Sequence, residues 1–205
     1  MHTCIKVIFM VEKKIVQKIS IPQKVGVEVK EDNHLTLTSD KGKLSRHFKT
    51  HRLKFKQEGN NIIIEGSPIN KQTRALMMTS IAHIKNMVKG LLYGYKYEMK
   101  VVYSHFPMTL QTENGFIFIK NFLGEKFPRK AKIVGETKIE VKGQDVILSG
   151  INLEEVSQTA ANIELATKVK KKDIRRFMDG VYTAEKGTME EEQKEHIIEI
   201  VSSKE

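Results

Sequence analysis

The sequence predicts an α+β protein made of two tandem copies of a small antiparallel sheet covered by one helix. The first observation is an internal repeat, because GNNIIIEG at residues 59–66 returns as GQDVILSG at residues 143–150. Further similar stretches follow in the same order and give a repeat of roughly eighty residues, longer than that of a solenoid. The second observation is that strand patterns precede a helical pattern twice. A chain of 205 residues is therefore predicted to contain two domains.

The first repeat is predicted to contain five short strands and then a helix. The strands, recognised by alternating apolar residues and by turns, are residues 25–29, 35–38, 44–48, 52–56 and 61–66. The apolar face of the helix is formed by Met77, Ile81, Ile84, Val88 and Leu91. Gly90 and Gly94 are expected to end this helix.

The second repeat follows the same plan. Its hairpin turn is Asn114 and Gly115, and its strands include residues 116–119, residues 138–142 and finally 143–150, expected to close the sheet. One face of its helix is formed by Leu153, Val156, Ala160, Ile163 and Thr167. Asn152 is expected to cap this helix, with Glu155 reaching back as in a capping box. The side chains expected in the two cores include Met77, Met78, Phe116, Phe118 and Phe122.

The predicted domain bounds follow from this repeat. We expect an N-terminal extension at residues 1–20, a first repeat at 21–98, a second repeat with a basic C-terminal segment at 99–188, and an acidic tail at 189–205. The single cysteine, Cys4, cannot form an internal disulfide, as is typical of a reducing compartment. The apolar run VIFMV near the start is too short for a membrane span or a secretion signal. A cytosolic or nuclear protein without a membrane partner is predicted.

No motif in the sequence predicts catalysis, a cofactor or a metal. His47 and His51 stand four residues apart, but no cysteine or carboxylate cluster accompanies them. The chain has no glycine-rich phosphate loop between a strand and a helix, and no GxSxG nucleophile motif. We therefore expect no enzyme activity, no cofactor and no small-molecule substrate.

The net charge of +10 is unevenly distributed along the chain. Residues 1–100 carry 19 Lys and Arg against 8 acids, whereas residues 101–205 carry 16 against 17. The basic residues cluster in residues 39–56, 121–132 and 168–176. Basic groups on strands and turns suit phosphate contacts, which favours a nucleic-acid partner without choosing between RNA and DNA. The alternative is a solvated basic surface, on which Arg175 and Arg176 pair with Asp173 or Asp179 on an exposed helix face.

Four further stretches are informative together, at residues 80–107, 121–133, 148–163 and 169–188. They resemble the universal large-subunit ribosomal protein L-six family, whose eukaryotic form is called L-nine. The resemblance spans about residues 21–188 and implies two tandem α+β domains in a structural component of the large ribosomal subunit. It also implies that the C-terminal domain binds large-subunit rRNA near the sarcin-ricin loop and the translation-factor-binding region, beside ribosomal proteins of the stalk base.

The resemblance assigns rRNA contacts to basic residues of the second repeat. These residues are Lys126, Arg129, Lys130, Lys168, Lys170, Lys171, Lys172, Arg175, Arg176 and Lys186. Lys41, Lys43 and Arg46 are further candidates in the first repeat, although SDKGK departs from the Gly-Pro-Arg-Gly type of turn found in relatives. The implied location is the cytoplasmic large subunit, with nucleolar assembly if the source is eukaryotic. The alternatives are a protein-interaction module that uses the acidic tail and sheet edges, or an extraribosomal RNA-binding protein.

Overall fold

A computed structural model describes residues 14–30, 32–170, 172–173 and 175–189. Over these residues the chain forms thirteen strands, two α-helices and a short 3-10 turn. The elements up to the first helix are β1 (Ile15–Ser20), β2 (Gly26–Lys30), β3 (His34–Ser39), β4 (Gly42–His47), β5 (Leu53–Glu58), β6 (Asn61–Gly66) and α1 (Lys71–Leu92). The remaining elements are β7 (Tyr95–Val102), β8 (Thr109–Glu113), β9 (Phe116–Lys120), the 3-10 turn (Phe122–Gly124), β10 (Arg129–Lys132), β11 (Lys138–Lys142), β12 (Asp145–Gly150), α2 (Leu153–Ala166) and β13 (Gly180–Thr188).

The first of two compact units ends at Val88. It contains two antiparallel sheets with strand orders β1-β6-β5 and β2-β3-β4. Leu35 and Leu37 of β3 and Ile62 and Ile64 of β6 are fully buried because alternate residues of a strand point to one face. α1 packs against β6 at Gly66, where a β-carbon would lie 2.9 Å from methyl groups of both Thr73 and Met77. The glycine therefore lets the helix approach the sheet.

β1 lies within residues 1–20, which the sequence assigned to an N-terminal extension. It pairs with β6 in an antiparallel register that runs from Ile15 opposite Gly66 to Ser20 opposite Asn61. Residues 1–13 of that extension and residues 190–205 of the acidic tail lie outside the described residues. The bounds 21–98 and 99–188 remain a prediction.

The second unit begins at Lys89. It contains a four-stranded sheet of order β11-β12-β7-β13 and a three-stranded sheet of order β10-β9-β8, both antiparallel. α2 contacts β7, β10, β12 and β13. Met99, Val146, Leu148 and Ile163 are fully buried in the core of this unit. The predicted α+β class, with two sheet-and-helix copies in tandem, is confirmed.

The expectation that residues 143–150 close the second sheet is wrong. β13 follows α2 and pairs with β7 from Gly180 opposite Val102 to Thr188 opposite Tyr95. The sequence did not reveal this strand because GVYTAEKGT has little apolar alternation. A register shift between Thr183 and Glu185 interrupts the pairing further.

Two of the expected core residues are on the surface. Met77 is buried but Met78 is 59% exposed, since neighbouring residues on a helix point about 100° apart. Phe122 is buried, whereas Phe116 is 39% exposed because β9 buries its other face, with Ile117 and Ile119.

The first helix passes through Gly90 and ends at Leu92. Gly94 has a φ of 82°, and its amide donates to the carbonyl oxygen of Gly90 at 2.9 Å. A glycine with positive φ after the last helical turn is a common helix end, so Gly94 acts as predicted. Gly90 has a different role, because a β-carbon there would collide with the carbonyl oxygen of Ile151.

The second helix begins as predicted, with Asn152 as its N-cap. The side-chain oxygen of Asn152 accepts a hydrogen bond from the amide of Glu154 at 3.1 Å. Glu155 does reach back, but it accepts from the side-chain amide of Asn152 at 2.9 Å. Its other oxygen accepts from the amide of Glu136 at 3.2 Å, so the carboxylate also fixes the preceding loop.

Candidate RNA-binding surface

Arg129 joins two basic segments that are far apart in the sequence. From the first residue of β10, its Nη1 donates to the carbonyl oxygen of Ala166 at 2.8 Å and to that of Lys168 at 3.3 Å. These carbonyls lie at the C-terminal end of α2, where unpaired acceptors and the helix dipole favour a cation. The contact brings the loop before β10 next to the segment after α2.

The same guanidinium also holds the loop itself. Its Nε and Nη2 donate to the two carboxylate oxygens of Glu125 at 2.8 and 2.6 Å, and its Cζ lies 4.1 Å from the centre of the Phe122 ring. The hydrogen bond from Arg129 lowers the pKa of Glu125; burial opposes this shift, and the charges of Arg129 and Lys172 add to it. The side chain of Arg129 is therefore committed largely to contacts within the protein.

The loop between β9 and β10 has a tight backbone. Asn121, Leu123 and Gly124 have φ angles of 60°, 49° and 75°. The side chain of Asn121 donates to the carbonyl oxygen of Pro107 at 3.0 Å, and the amide of Glu125 donates to that of Phe122 at 2.9 Å. Phe122 is almost fully buried, so it anchors the loop in the core.

The segment after α2 is held by Thr167 and two aspartates. The buried Thr167 hydroxyl donates to the carbonyl oxygen of Ile163 and accepts from the amide of Val181, both at 3.1 Å. Asp173 accepts from the backbone amide of Arg175 at 3.0 Å. The buried Asp179 accepts from the amide of Ser104 at 2.8 Å.

The alternative in which Arg175 and Arg176 pair with these aspartates on a helix face is wrong. The described residues between 168 and 179 form turns and irregular backbone, and α2 has already ended at Ala166. Within this described part, neither arginine forms an ion pair with Asp173 or Asp179. The carboxylates of Asp173 and Asp179 instead accept from the backbone amides of Arg175 and Ser104, and both arginine side chains are exposed.

The structure brings Lys126 next to the segment that carries most of the other predicted contact residues. Lys126 lies in the loop that Arg129 joins to the end of α2, and the other basic residues follow that end in the sequence. We define the basic surface as the exposed residues Lys126, Lys168, Lys170, Lys172, Arg175 and Arg176. Lys172 also packs over the ring of Phe177, with its Nζ 4.7 Å from the ring centre. Lys171 lies outside the described residues.

Lys130 and Lys186 lie apart from the basic surface. Lys130 follows Arg129 on β10, so it points to the opposite face, with its Nζ 5.6 Å from the centre of the Phe118 ring. Lys186 lies on β13 over the ring of Tyr97, roughly 20 Å along the strand from Gly180.

The three candidates Lys41, Lys43 and Arg46 lie in the first unit. Lys41 and Lys43 are exposed around the turn between β3 and β4. Arg46 lies with its Nη2 3.3 Å from Nε2 of His83 on α1. Its Cζ also lies 5.7 Å from the centre of the Phe48 ring. Arg46 is thus engaged in packing.

Sequence reasoning missed two features. One is Phe127, which is 85% exposed in the loop of the basic surface; its only signal was a phenylalanine between Lys126 and Pro128. The other is an open cavity of about 720 Å³ in the first unit, which has several basic side chains in its lining. Its lining residues include His47, Lys49, His51 and Lys54.

Comparison with known proteins identifies the family of this chain. The family model described as Ribosomal protein L6 matches residues 21–94 and 109–180. The chain belongs to the ribosomal protein L6 family. The first match covers β2 to α1, and the second covers β8 to the first residue of β13.

Several curated relatives are similar over nearly their whole length, and each is named large ribosomal subunit protein uL6. The relative from Staphylothermus marinus is 47% identical over 180 residues, which covers 86% of this chain and 97% of the relative. The relative from Methanocella arvoryzae is 45% identical over 172 residues, which covers 83% of this chain and 97% of the relative. The relative from Aeropyrum pernix is 42% identical over 173 residues, which covers 84% of this chain and 94% of the relative.

These matches confirm the resemblance found in the sequence. Proteins of the L6 family are structural and are not enzymes, so the prediction that the chain is not an enzyme is confirmed by its family. The described residues contain no group of three or more His, Cys, Asp or Glu side chains placed to hold a metal ion. Neither helix in this part of the chain is long and apolar enough to span a membrane.

Proposed function

We propose that the chain is a structural constituent of the large ribosomal subunit that binds large-subunit rRNA. Family membership and the names of the nearly full-length relatives support a place in that subunit. We also propose that it binds near the sarcin-ricin loop and the translation-factor-binding region, beside ribosomal proteins of the stalk base. This finer location rests on the family resemblance and implies a cytoplasmic ribosome.

The observation that carries the proposal is the meeting of two basic segments at Arg129. Lys168 is 39 residues from Arg129 in sequence, yet its carbonyl oxygen accepts from the guanidinium. Glu125 pairs with Arg129 at 2.6 Å, and the carboxylates of Glu125 and Asp173 are two negative charges close to the six cations of the basic surface. The basic surface therefore keeps an excess of positive charge, which suits a phosphate backbone.

The basic residues divide into two roles under this proposal. Residues of the basic surface contact phosphates, and Lys171 contributes from the same stretch. Arg129 acts as a positioning residue, because its hydrogen bonds shape the loop. The predicted contacts of Lys130, Lys186, Lys41, Lys43 and Arg46 remain proposals of their own. Since an A-form RNA helix exposes its backbone and shallow groove, such a surface would recognise RNA shape more than sequence.

A charge-reversal experiment tests the role of the basic surface. We expect Lys170→Glu combined with Lys172→Glu to weaken binding to protein-free large-subunit rRNA. The slope of log affinity against log salt concentration should fall by about one for each phosphate contact removed. A matched control reverses Lys138 and Lys142 on β11, the edge strand opposite β13 in the sheet.

Equal effects of the two double variants would contradict a specific role for the basic surface.

Assembly into the large subunit is tested by sedimentation, in which the protein should travel with large subunits and leave them only at very high salt. Recovery of the protein mainly as a free monomer would contradict the proposal. Retained rRNA affinity under that outcome would favour an extraribosomal RNA-binding protein, and loss of both would favour a protein-interaction module.

A further inference from the structure

Phe127 is the most exposed of the large apolar side chains in the described part of the chain. Its exposed fraction is 85%, against 1% for Phe122 in the same loop. A buried aromatic ring stabilises the fold strongly because it removes apolar surface from water. Phe127 is so exposed that it gives the fold almost no stabilisation of this kind. Single exposed apolar residues are common on protein surfaces, so the surroundings of Phe127 must decide its role.

The backbone on both sides of Phe127 is held in place. Glu125 and Arg129, two residues before and after it, are joined by hydrogen bonds of 2.6 and 2.8 Å. Pro128 restricts the backbone directly after the ring. A side chain on such a braced loop loses little conformational freedom when it binds a partner. The loop thus places one phenylalanine in the core and presents the other to solvent.

The residues close to Phe127 are mainly cationic. Lys126 precedes it and is exposed, and the hydrogen bond from Arg129 brings the backbone of Lys168 to the same loop at 3.3 Å. Glu125, the acid of this loop, is paired with Arg129. Lysine is depleted in the cores of protein–protein interfaces, whereas cations around an aromatic ring are typical of sites for unpaired nucleotides. These surroundings favour RNA over a protein partner.

We propose that Phe127 stacks on an unpaired base of the RNA that the basic surface binds. In this arrangement Lys126 and the neighbouring lysines contact the flanking phosphates, while the ring supplies a contact that is not electrostatic. The inference rests on the proposed function, and it adds a recognition site for a nucleobase. Every base has an aromatic face, so the contact would tolerate different sequences.

Substitutions at Phe127 test this contact with protein-free large-subunit rRNA as the probe. Loss of one stacked base should lower the affinity of Phe127→Ala by about 5- to 150-fold. The salt slope should stay unchanged, because no phosphate contact is removed. Phe127→Leu should lose a similar factor, since leucine is apolar but has no aromatic face, and Phe127→Trp should bind at least as well as the parent. At 85% exposure these changes should leave the fold intact, which circular dichroism can check.

Fluorescence gives a second, direct measurement. The chain contains no tryptophan, so Phe127→Trp introduces a single emitter at the site. Stacking on a base should quench its emission when rRNA is added. Phe116→Trp is a matched control, because Phe116 is 39% exposed but lies at the opposite end of β9 from this loop. Its emission should change little.

Several outcomes would overturn the stacking proposal. They are full rRNA affinity of Phe127→Ala, full affinity of Phe127→Leu, and unquenched emission from Phe127→Trp. Normal rRNA affinity of Phe127→Ala with poor incorporation into subunits would assign the ring to a protein pocket instead. The double variant of Lys170 and Lys172 separates the two proposals: if it loses affinity and Phe127→Ala does not, only stacking fails. If the double variant binds normally, the proposed function fails first.

Discussion

Replacing Arg129 should destabilise the second unit and disrupt the basic surface. Arg129→Ala removes a charged hydrogen bond to the carbonyl oxygen of Ala166 at 2.8 Å, worth about 1.5–3 kcal/mol in general. It also removes the ion pair with Glu125. Since the side chains of Arg129 and Glu125 are 24% and 42% exposed, this pair should contribute about 0.2–1 kcal/mol to stability. The contact with the Phe122 ring adds about 0.5–1 kcal/mol.

These contributions share one side chain and do not add fully. Since the Arg129 side chain is about one quarter exposed, we expect a loss near the lower end, about 2–3 kcal/mol in the free energy of unfolding. Arg129→Lys should lose about half as much, because lysine can approach Glu125 but cannot bind it through a planar fork and also reach the helix end.

Urea denaturation followed by circular dichroism measures this loss. With a slope of about 2 kcal/mol per molar, the midpoint of Arg129→Ala should fall by roughly 1–1.5 M. Lys138→Ala is a suitable control, since it changes an exposed lysine on β11 and should alter stability by less than about 0.5 kcal/mol.

The binding measurement separates positioning from direct contact. If Arg129 positions the loop, Arg129→Ala should weaken rRNA binding while leaving the salt slope nearly unchanged. A loss of stability no larger than that of the Lys138 control would refute the argument that this guanidinium joins the two basic segments. If the slope of log rRNA affinity against log salt concentration fell by about one, Arg129 would instead be a phosphate contact.

Substitutions at three further positions test other parts of the second unit by urea denaturation. Gly90→Ala should destabilise by about 1–3 kcal/mol, because its β-carbon would collide with the carbonyl oxygen of Ile151; a gain of about 1 kcal/mol, as helix propensity alone predicts, would contradict this. Thr167→Val should cost about 1–3 kcal/mol and speed hydrogen exchange at Val181, whose buried amide loses its acceptor, whereas Thr167→Ser should behave like the parent. The pKa of Glu125 is lowered in the folded state, so its contribution to stability is present above its unfolded value near 4.5 and is lost as pH falls through the lower folded value. Glu125→Gln should therefore show a weaker loss of stability than the parent below about pH 5, and parallel pH profiles would disprove this.

Elements with strong local patterns could be predicted from the sequence. The two helices, the five predicted strands of the first repeat and the Asn152 cap were recognised. Spacing and capping depend on neighbouring residues, so they can be read from a short stretch. Family membership was also accessible, since the motifs are continuous stretches. The weakly patterned β13 was missed because its place is decided by pairing with β7, which its own residues hardly signal.

The sequence by itself determined a basic protein with two α+β copies, a family, and a set of candidate contact residues. Only the tertiary structure decided which of them lie together. In the structure Arg129 binds the end of α2, Lys130 lies on the opposite face of β10, and Phe127 is exposed beside Lys126. Charge and periodicity are properties of a short stretch, whereas the direction of a side chain depends on packing between segments that are distant in the sequence.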